Sequence, residues 1–141
     1  YEGKKFTGDV WVDQAVGYVR FAKKEKVLFR CLIDSRNLNL YRKMIVTHWE
    51  SLTDQLTDYE PFKDLNDEQR SQVRYTRSKL ALGLAITVST EYGGAINSNR
   101  LINSYLKTAS HAILKGFRDA PPLDEESKLE LKDNFRKLRE E

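Results

Sequence analysis

Residues that carry most site chemistry are scarce in this chain, whose 141 residues include one cysteine and two histidines. The single cysteine, Cys31, excludes an internal disulfide and is consistent with a reducing compartment. His48 and His111 have no carboxylate, cysteine or second histidine at the i+3 or i+4 spacing that places two metal ligands on one helical face. No Ser-His-Asp group, glycine-rich phosphate loop or pair of catalytic carboxylates is recognisable. The sequence therefore predicts a protein that is not an enzyme and has no metal and no cofactor.

Glycine and proline are also few, seven and three, and most of them fall between the periodic segments. No alternation of apolar and polar residues is long enough for a strand, so the chain is predicted to be all-helical. The longest apolar run, residues 80–88, has about half of the roughly 20 residues that a membrane-spanning helix needs. Lysine and arginine outnumber aspartate and glutamate by 24 to 21. This surplus is too small to indicate nucleic acid or membrane as an obligate partner.

The amino-terminal residues, YEGKK, are not followed by the apolar core of a signal peptide. Together with the lone cysteine, this predicts a cytoplasmic protein. Because the chain does not begin with methionine, we expect the natural protein to have further residues upstream of Tyr1.

Periodicity and capping residues predict an antiparallel bundle of about five to six helices, over residues 9–24, 25–33, 38–56, 66–92, 98–117 and 123–141. Asp9 is placed to cap the first helix, and Asn66 with Gln69 has the pattern of a capping box at the fourth. The first helix is apolar over an arc of roughly 220°, typical of a helix inside a bundle. In the fourth, LALGLAITV is expected to be buried on all sides, and Gly93-Gly94 to end the helix.

Two of the scarce residues lie in apolar surroundings. His48 lies on the apolar stripe of the third helix beside Trp49, either as a core histidine that bonds a carbonyl or as a contact for a ligand. Cys31 lies on the short second helix and is expected to be an inert, packed thiol.

A basic stripe on the fourth helix also has two interpretations. Arg70, Arg74 and Arg77 recur at i, i+4 and i+7. They form either a contact for DNA phosphates or another anion, or a solvated face that nearby acidic residues balance.

Small and apolar residues share one face of the fifth helix, and similar residues occur in the apolar half of the fourth. Small side chains allow another helix to approach closely. These two helices would pack against the same pair from a second chain, as a four-helix interface about a two-fold axis. The alternative is that both faces pack inside one chain. The residues predicted for the dimer interface are Leu80, Leu84, Thr87, Ile102, Tyr105, Ala109, Ala112, Ile113 and Gly116.

The stretch GYVRFAKKEKVLFRCLI, residues 17–33, resembles the hinge between two helices in the carboxy-terminal domain of TetR-type transcriptional regulators. The residues that match the family's pattern are Tyr18, Phe21, Ala22, Leu28, Phe29 and Leu32. KLALGLAI, residues 79–86, looks like a buried helix of the same family, in which Gly83 matches a glycine. The resemblance covers about 9–118.

The resemblance implies the sensory and dimerising half of a regulator, without the amino-terminal helix-turn-helix that reads DNA. Residues 1–8 would be a residual linker, 9–119 the effector-binding and dimerisation domain, and 120–141 a loop with an additional helix. The protein would be a homodimer that reaches DNA only through the missing domain. A small apolar effector would bind among Tyr18, Phe21, Met44, His48, Trp49, Leu52 and Tyr75.

In this interpretation the charged knot KKEK, residues 23–26, keeps the bend at the surface while both flanks stay in the core. An effector would favour one arrangement of the bent helix and shift its population. The alternative function is a helical, dimeric module that binds a protein partner and no small molecule.

Overall fold

The computed structural model describes residues 5–34 and 56–140. In these ranges the chain forms five α-helices, one short 3-10 helix and no strand, so the all-helical prediction is confirmed. The α-helices are α1 (Val10–Lys24), α2 (Lys26–Ile33), α3 (Asp67–Val88), α4 (Asn99–Asp119) and α5 (Glu125–Glu140), and the 3-10 helix spans Glu60–Phe62. The helix predicted over 38–56 lies outside the described residues, except for Leu56.

The predicted caps are present at the start of α1 and of α3. The Asp9 carboxylate accepts hydrogen bonds from the backbone N–H groups of Trp11 (3.0 Å) and Val12 (3.2 Å). At α3 the capping box is complete: the Gln69 N–H donates to Asn66 Oδ1 at 2.8 Å, and the Asn66 N–H donates to Gln69 Oε1 at 2.9 Å. These bonds satisfy backbone donors that have no partner inside a helix.

α1 lies at the centre of the described structure and packs against α2, α3 and α4. Its buried apolar residues are Trp11, Val12, Ala15, Val16, Val19 and Ala22. All but the tryptophan share a cluster with Phe29 of α2, Ala81 and Ala85 of α3, and Ile102 and Leu106 of α4. The wide apolar arc predicted for the first helix is therefore confirmed, and small residues of α3 let that helix lie close to it.

The apolar half of α3 is not buried on all sides, and the prediction that it would be is wrong. Ala81, Ala85 and Val88 are buried, whereas Gly83 and Ile86 are exposed. The buried residues lie on the face that meets α1, because positions three or four apart share one side of a helix. The opposite face of this half of α3 is open to solvent.

α3 also ends earlier than predicted, at Val88 rather than at Tyr92. The Ser89 hydroxyl donates to the Ile86 carbonyl at 2.7 Å, and the Thr90 hydroxyl donates to another carbonyl of the last turn at 2.6 Å. Hydroxyl groups that bond helix carbonyls in this way compete with further helical turns. The two glycines that were expected to end the helix lie farther along, in the loop before α4, and both have positive φ.

α5 lies against the outer face of the first half of α3. The rings of Phe135 and Tyr75 meet edge to face with centroids 5.6 Å apart, and Lys128 Nζ lies 3.4 Å from a Glu68 oxygen. Asp124 begins the helix by accepting a hydrogen bond from the Ser127 N–H at 2.7 Å. The helix is attached by few apolar side chains, as its thin apolar face predicts.

One buried hydroxyl on α4 gives a test of the packing around α1. Ser110 is completely buried, and its Oγ has no hydrogen-bond partner within the described part of the chain. A buried, unpaired polar group costs about 1–3 kcal/mol. We expect Ser110→Ala to raise the free energy of unfolding by about 1 kcal/mol in urea denaturation, because it removes that group.

The matched control is the same substitution at the start of the same helix. The Ser98 hydroxyl accepts a hydrogen bond from the Leu101 N–H at 3.1 Å. Ser98→Ala should therefore lower the free energy of unfolding by about 1 kcal/mol. A loss of stability in Ser110→Ala would contradict the assignment of its hydroxyl as unpaired.

Candidate functional site

The bend between α1 and α2 is centred on Glu25, which has φ −111° and ψ 56°. Hydrogen bonds continue across it, because the Glu25 N–H donates to the Phe21 carbonyl and the Phe29 N–H donates to the Glu25 carbonyl, both at 2.8 Å. Lys24, Glu25 and Lys26 are exposed. The prediction that the charged knot is a solvent-facing joint is confirmed for these three residues, whereas Lys23 is half-buried.

The two flanks of the bend are buried to different extents. In α2, Phe29 is 1% exposed and lies in the cluster around α1, whereas Val27 and Leu28 are 79% and 51% exposed. The prediction that both flanks stay in the core is therefore wrong for the outer face of α2. Cys31 also lies on that face and is exposed, so it is not the packed thiol that was expected.

Two of the predicted ligand-binding residues lie together beside the bend. Tyr18 and Phe21 are half-buried on the same side of α1 and pack against the central cluster. The Tyr18 ring meets the Phe29 ring edge to face, with centroids 5.8 Å apart. Four other candidates lie outside the described residues: Met44, His48, Trp49 and Leu52.

Tyr75 does not belong with the aromatic residues at the bend, which corrects its assignment to the pocket. Its ring packs against Phe135 of α5, and Lys79 Nζ lies 4.9 Å from the ring centroid. Val73, two residues earlier, is completely buried. Two residues correspond to about 200° of helical rotation, so Tyr75 lies on the opposite, outer side of α3.

Two recesses lined entirely by described residues lie away from Tyr18 and Phe21. One, of about 710 Å³, is the groove between the first half of α3 and α5, and it is lined by charged residues of both signs with Leu131 and Phe135. The other, of about 520 Å³, lies at the start of α1 beside Asp9 and Tyr59. Both are open to solvent.

The residues predicted for the dimer interface divide between the inside and the outside of the chain. Ile102 is completely buried in the chain's own core, so its assignment to a dimer surface is wrong. The half-buried members are Leu80, Leu84, Ala109 and Ile113, and the exposed members are Thr87, Tyr105, Ala112 and Gly116. The predicted face of α4 thus has one edge against α1 and the other in solvent.

The basic stripe of α3 is interrupted by a buried arginine. Arg77 is 7% exposed; its Nη1 donates to the Trp11 carbonyl at 2.5 Å, and its guanidinium lies 4.4 Å from the centroid of the Trp11 ring. Both interpretations of the stripe are therefore wrong for this residue, which faces neither DNA nor solvent. The signal in the sequence is its spacing, since it lies midway between the buried Val73 and Ala81.

Arg70, at the start of the stripe, fits the solvated interpretation. Arg70 forms an exposed ion pair with Asp67 at 3.3 Å and donates through Nε to the Phe62 carbonyl at 3.1 Å. By contrast, burial lowers the pKa of the Arg77 guanidinium to about 9, and the positive charge of Arg74 adds to this effect, while Tyr59 and Asp9 oppose it.

Residue types that commonly bind metal ions are scattered over the described ranges. No group of three or more histidine, cysteine, aspartate or glutamate side chains that could hold a metal ion occurs there, and His111 is exposed on α4. Within the same ranges, no helix is both long and apolar enough to cross a membrane.

Comparisons of the chain with models of protein families, with curated proteins and with solved structures found no match. The resemblance to TetR-type regulators therefore stays a prediction from the residues of the bend and of the fourth predicted helix.

A pair of arginine substitutions tests the contrast within the stripe. We expect Arg77→Ala to lower the free energy of unfolding by about 2–3 kcal/mol, because it removes a desolvated cation–π contact and the packing of the side-chain stem. Arg70→Ala, which removes an exposed ion pair on the same helix, should cost less than about 1 kcal/mol. Urea denaturation of both variants is the measurement, and equal losses would contradict the structural distinction.

Proposed function

We propose that this chain is the ligand-sensing and dimerisation domain of a TetR-type transcriptional regulator, which controls DNA binding by a helix-turn-helix outside the chain. The bent pair α1–α2 supports the proposal, because the residues that match the family's pattern include the contact pair Tyr18 and Phe29. The order of elements agrees with it as well, since a bent pair is followed by two long helices, α3 and α4.

The proposed dimerisation is supported by the residues on the outer surface of α3 and α4. Small residues there have open space around them: a Cβ placed on Gly83 or on Gly116 would meet no neighbouring atom within 4 Å. Tyr105 is 42% exposed on the same side of α4 as Gly116. Exposed small and aromatic residues in this arrangement fit the close approach of two helices from a second copy.

In this proposal a small apolar effector binds beside the bend. Tyr18 and Phe21 form one wall, and the other candidates from the sequence, Met44, His48, Trp49 and Leu52, lie outside the described residues. Aromatic walls with a few polar groups are typical of small-molecule sites. Because the joint at Glu25 is exposed, α2 can shift against α1 without moving charged side chains through the core.

One observation favours the second candidate, a dimeric helical module that binds a protein and no small molecule. The buried residues around α1 form one apolar cluster, and two recesses lined by described residues lie away from Tyr18 and Phe21. The two functions differ in whether a small molecule binds beside Tyr18. Both require the same dimer.

The dimer is tested by placing a large, charged side chain on the outer face of α4. We expect the unmodified chain to have the mass of a dimer in light scattering at micromolar concentration. Ala112→Arg should weaken the dimer by at least about 100-fold, because it inserts an unpaired charge into a closely packed interface. Ala120→Arg, the same substitution at an exposed residue after α4, is the matched control. A monomer mass for the unmodified chain would refute this interface.

The effector site is tested by native mass spectrometry of the purified chain and by thermal-shift measurements with a library of small apolar compounds. We expect a bound compound, and Phe21→Ala should weaken its binding by at least about tenfold, because a buried ring contributes about 1.5–3 kcal/mol. Tyr92→Ala, at an 85% exposed residue, should have no effect. Binding that Phe21→Ala leaves unchanged would place the ligand elsewhere.

A further inference from the structure

The residues before α1 are fixed to that helix by side-chain contacts. We call Phe6–Asp9 the lead-in segment. The backbone N–H and the hydroxyl of Thr7 both donate to Asp13 Oδ1, at 2.8 and 2.7 Å. The Arg20 guanidinium lies 4.5 Å from the centroid of the Phe6 ring. The lead-in segment is therefore attached to α1 at two positions, Asp13 and Arg20, which lie on the same side of the helix.

Asp9, the last residue of the lead-in segment, joins α1 to a distant part of the chain. Its carboxylate caps α1 by accepting hydrogen bonds from the N–H groups of Trp11 and Val12. It also accepts a hydrogen bond from the Tyr59 hydroxyl, whose oxygen lies 2.8 Å from each carboxylate oxygen. A single carboxylate thus holds both the first turn of the helix and the segment before the 3-10 helix. A carboxylate has enough acceptor sites for all three donors.

α3 reaches the same cluster through Trp11. The Trp11 ring lies 5.0 Å from the Phe62 ring and 6.2 Å from the Tyr59 ring, measured between centroids. On α3, the Arg77 guanidinium packs on the Trp11 ring and donates to the Trp11 carbonyl. The start of α1 is thereby held by residues from three separate segments of the chain.

We propose that Asp9, Tyr59 and Arg77 form a latch that fixes the lead-in segment to α3 and to the 3-10 helix, so that these parts move as one body. A displacement of α3 then moves Trp11 and the start of α1 with it. The consequence for DNA binding rests on the proposed function: the latch is where a movement of the sensing helices reaches the residues that lead to the DNA-binding domain.

The electrostatics of Tyr59 support a persistent latch. Burial, and then the hydrogen bond and negative charge of Asp9, raise the pKa of Tyr59 well above its ordinary value of 10. The hydroxyl therefore stays protonated and remains a donor at and above neutral pH. An ionised tyrosine beside the Asp9 carboxylate would place two negative charges in contact.

The test measures how rigidly the lead-in segment is held. Spin labels are attached to cysteines at Lys5 and Glu91, both exposed, in a chain that carries Cys31→Ser and is diluted with unlabelled copies. Lys5 precedes the lead-in segment and Glu91 follows α3, so the distance between the two labels, measured by pulsed electron–electron resonance, reports how the lead-in segment is held relative to α3. We expect Tyr59→Phe, which keeps the ring and removes only the hydroxyl, to widen the distance distribution at least twofold.

A second variant and a control make the result specific. Asp9→Ser retains a capping side chain but removes the carboxylate, and it should widen the distribution as Tyr59→Phe does. Val73→Ala opens a cavity in the same cluster without touching the latch, and it should lower stability while leaving the width unchanged. An unchanged width in Tyr59→Phe, or equal widening in Val73→Ala, would overturn the proposal. Neither result depends on an effector or on the dimer, so the latch and the proposed function can fail separately.

Discussion

The need to bury α1 on nearly every side determines where α2, α3 and α4 lie. Trp11, Val12, Val16 and Val19 are at most 1% exposed. Burying a side chain of this kind contributes about 1.5–3 kcal/mol, so leaving one face of α1 in solvent would remove a large part of the domain's stability. No single helix can cover an arc this wide. α2, α3 and α4 each supply one part of the cover.

How much of this could be predicted from the sequence depends on how far apart the interacting residues are. The caps at Asp9 and Asn66 involve partners within three residues, and the apolar arc of α1 is a property of one helix; both were predicted. The burial of Arg77 was not, because its partner Trp11 is 66 residues away, and its spacing from Val73 and Ala81 indicates the face on which it lies but not the contact that it makes. The open face of α3 was missed for a related reason, since an all-apolar run gives no sign of which side meets a neighbour.

The candidate site was predicted only in part, and the reason is geometric. Tyr18 and Phe21 are three residues apart on one helix, so their common side follows from helical spacing alone. Tyr75 was assigned to the same pocket because it is aromatic, but two residues beyond the buried Val73 it must point to the opposite side of α3. Helical spacing also fails to show how far the dimer face extends. Ile102 and Tyr105 share one predicted face, but only Tyr105 is exposed, because the edge of that face that carries Ile102 packs against α1.

The two ends of α1 differ in the interactions that hold them. The start is fixed to other segments, whereas the joint at the other end can change its angle. At the start, a carboxylate, a tyrosine hydroxyl and a buried guanidinium bind the helix to three segments through directional contacts. At the other end, the charged residues around Glu25 lie in solvent, and α2 buries a single aromatic anchor, Phe29. Directional polar contacts in a desolvated cluster resist displacement, whereas an exposed joint with one anchor can rotate at low cost. In the proposed function, an effector beside Tyr18 and Phe21 would therefore move α2 before it moved the start of α1. A displacement of α2 would reach the lead-in segment only if it were large enough to move α3 as well.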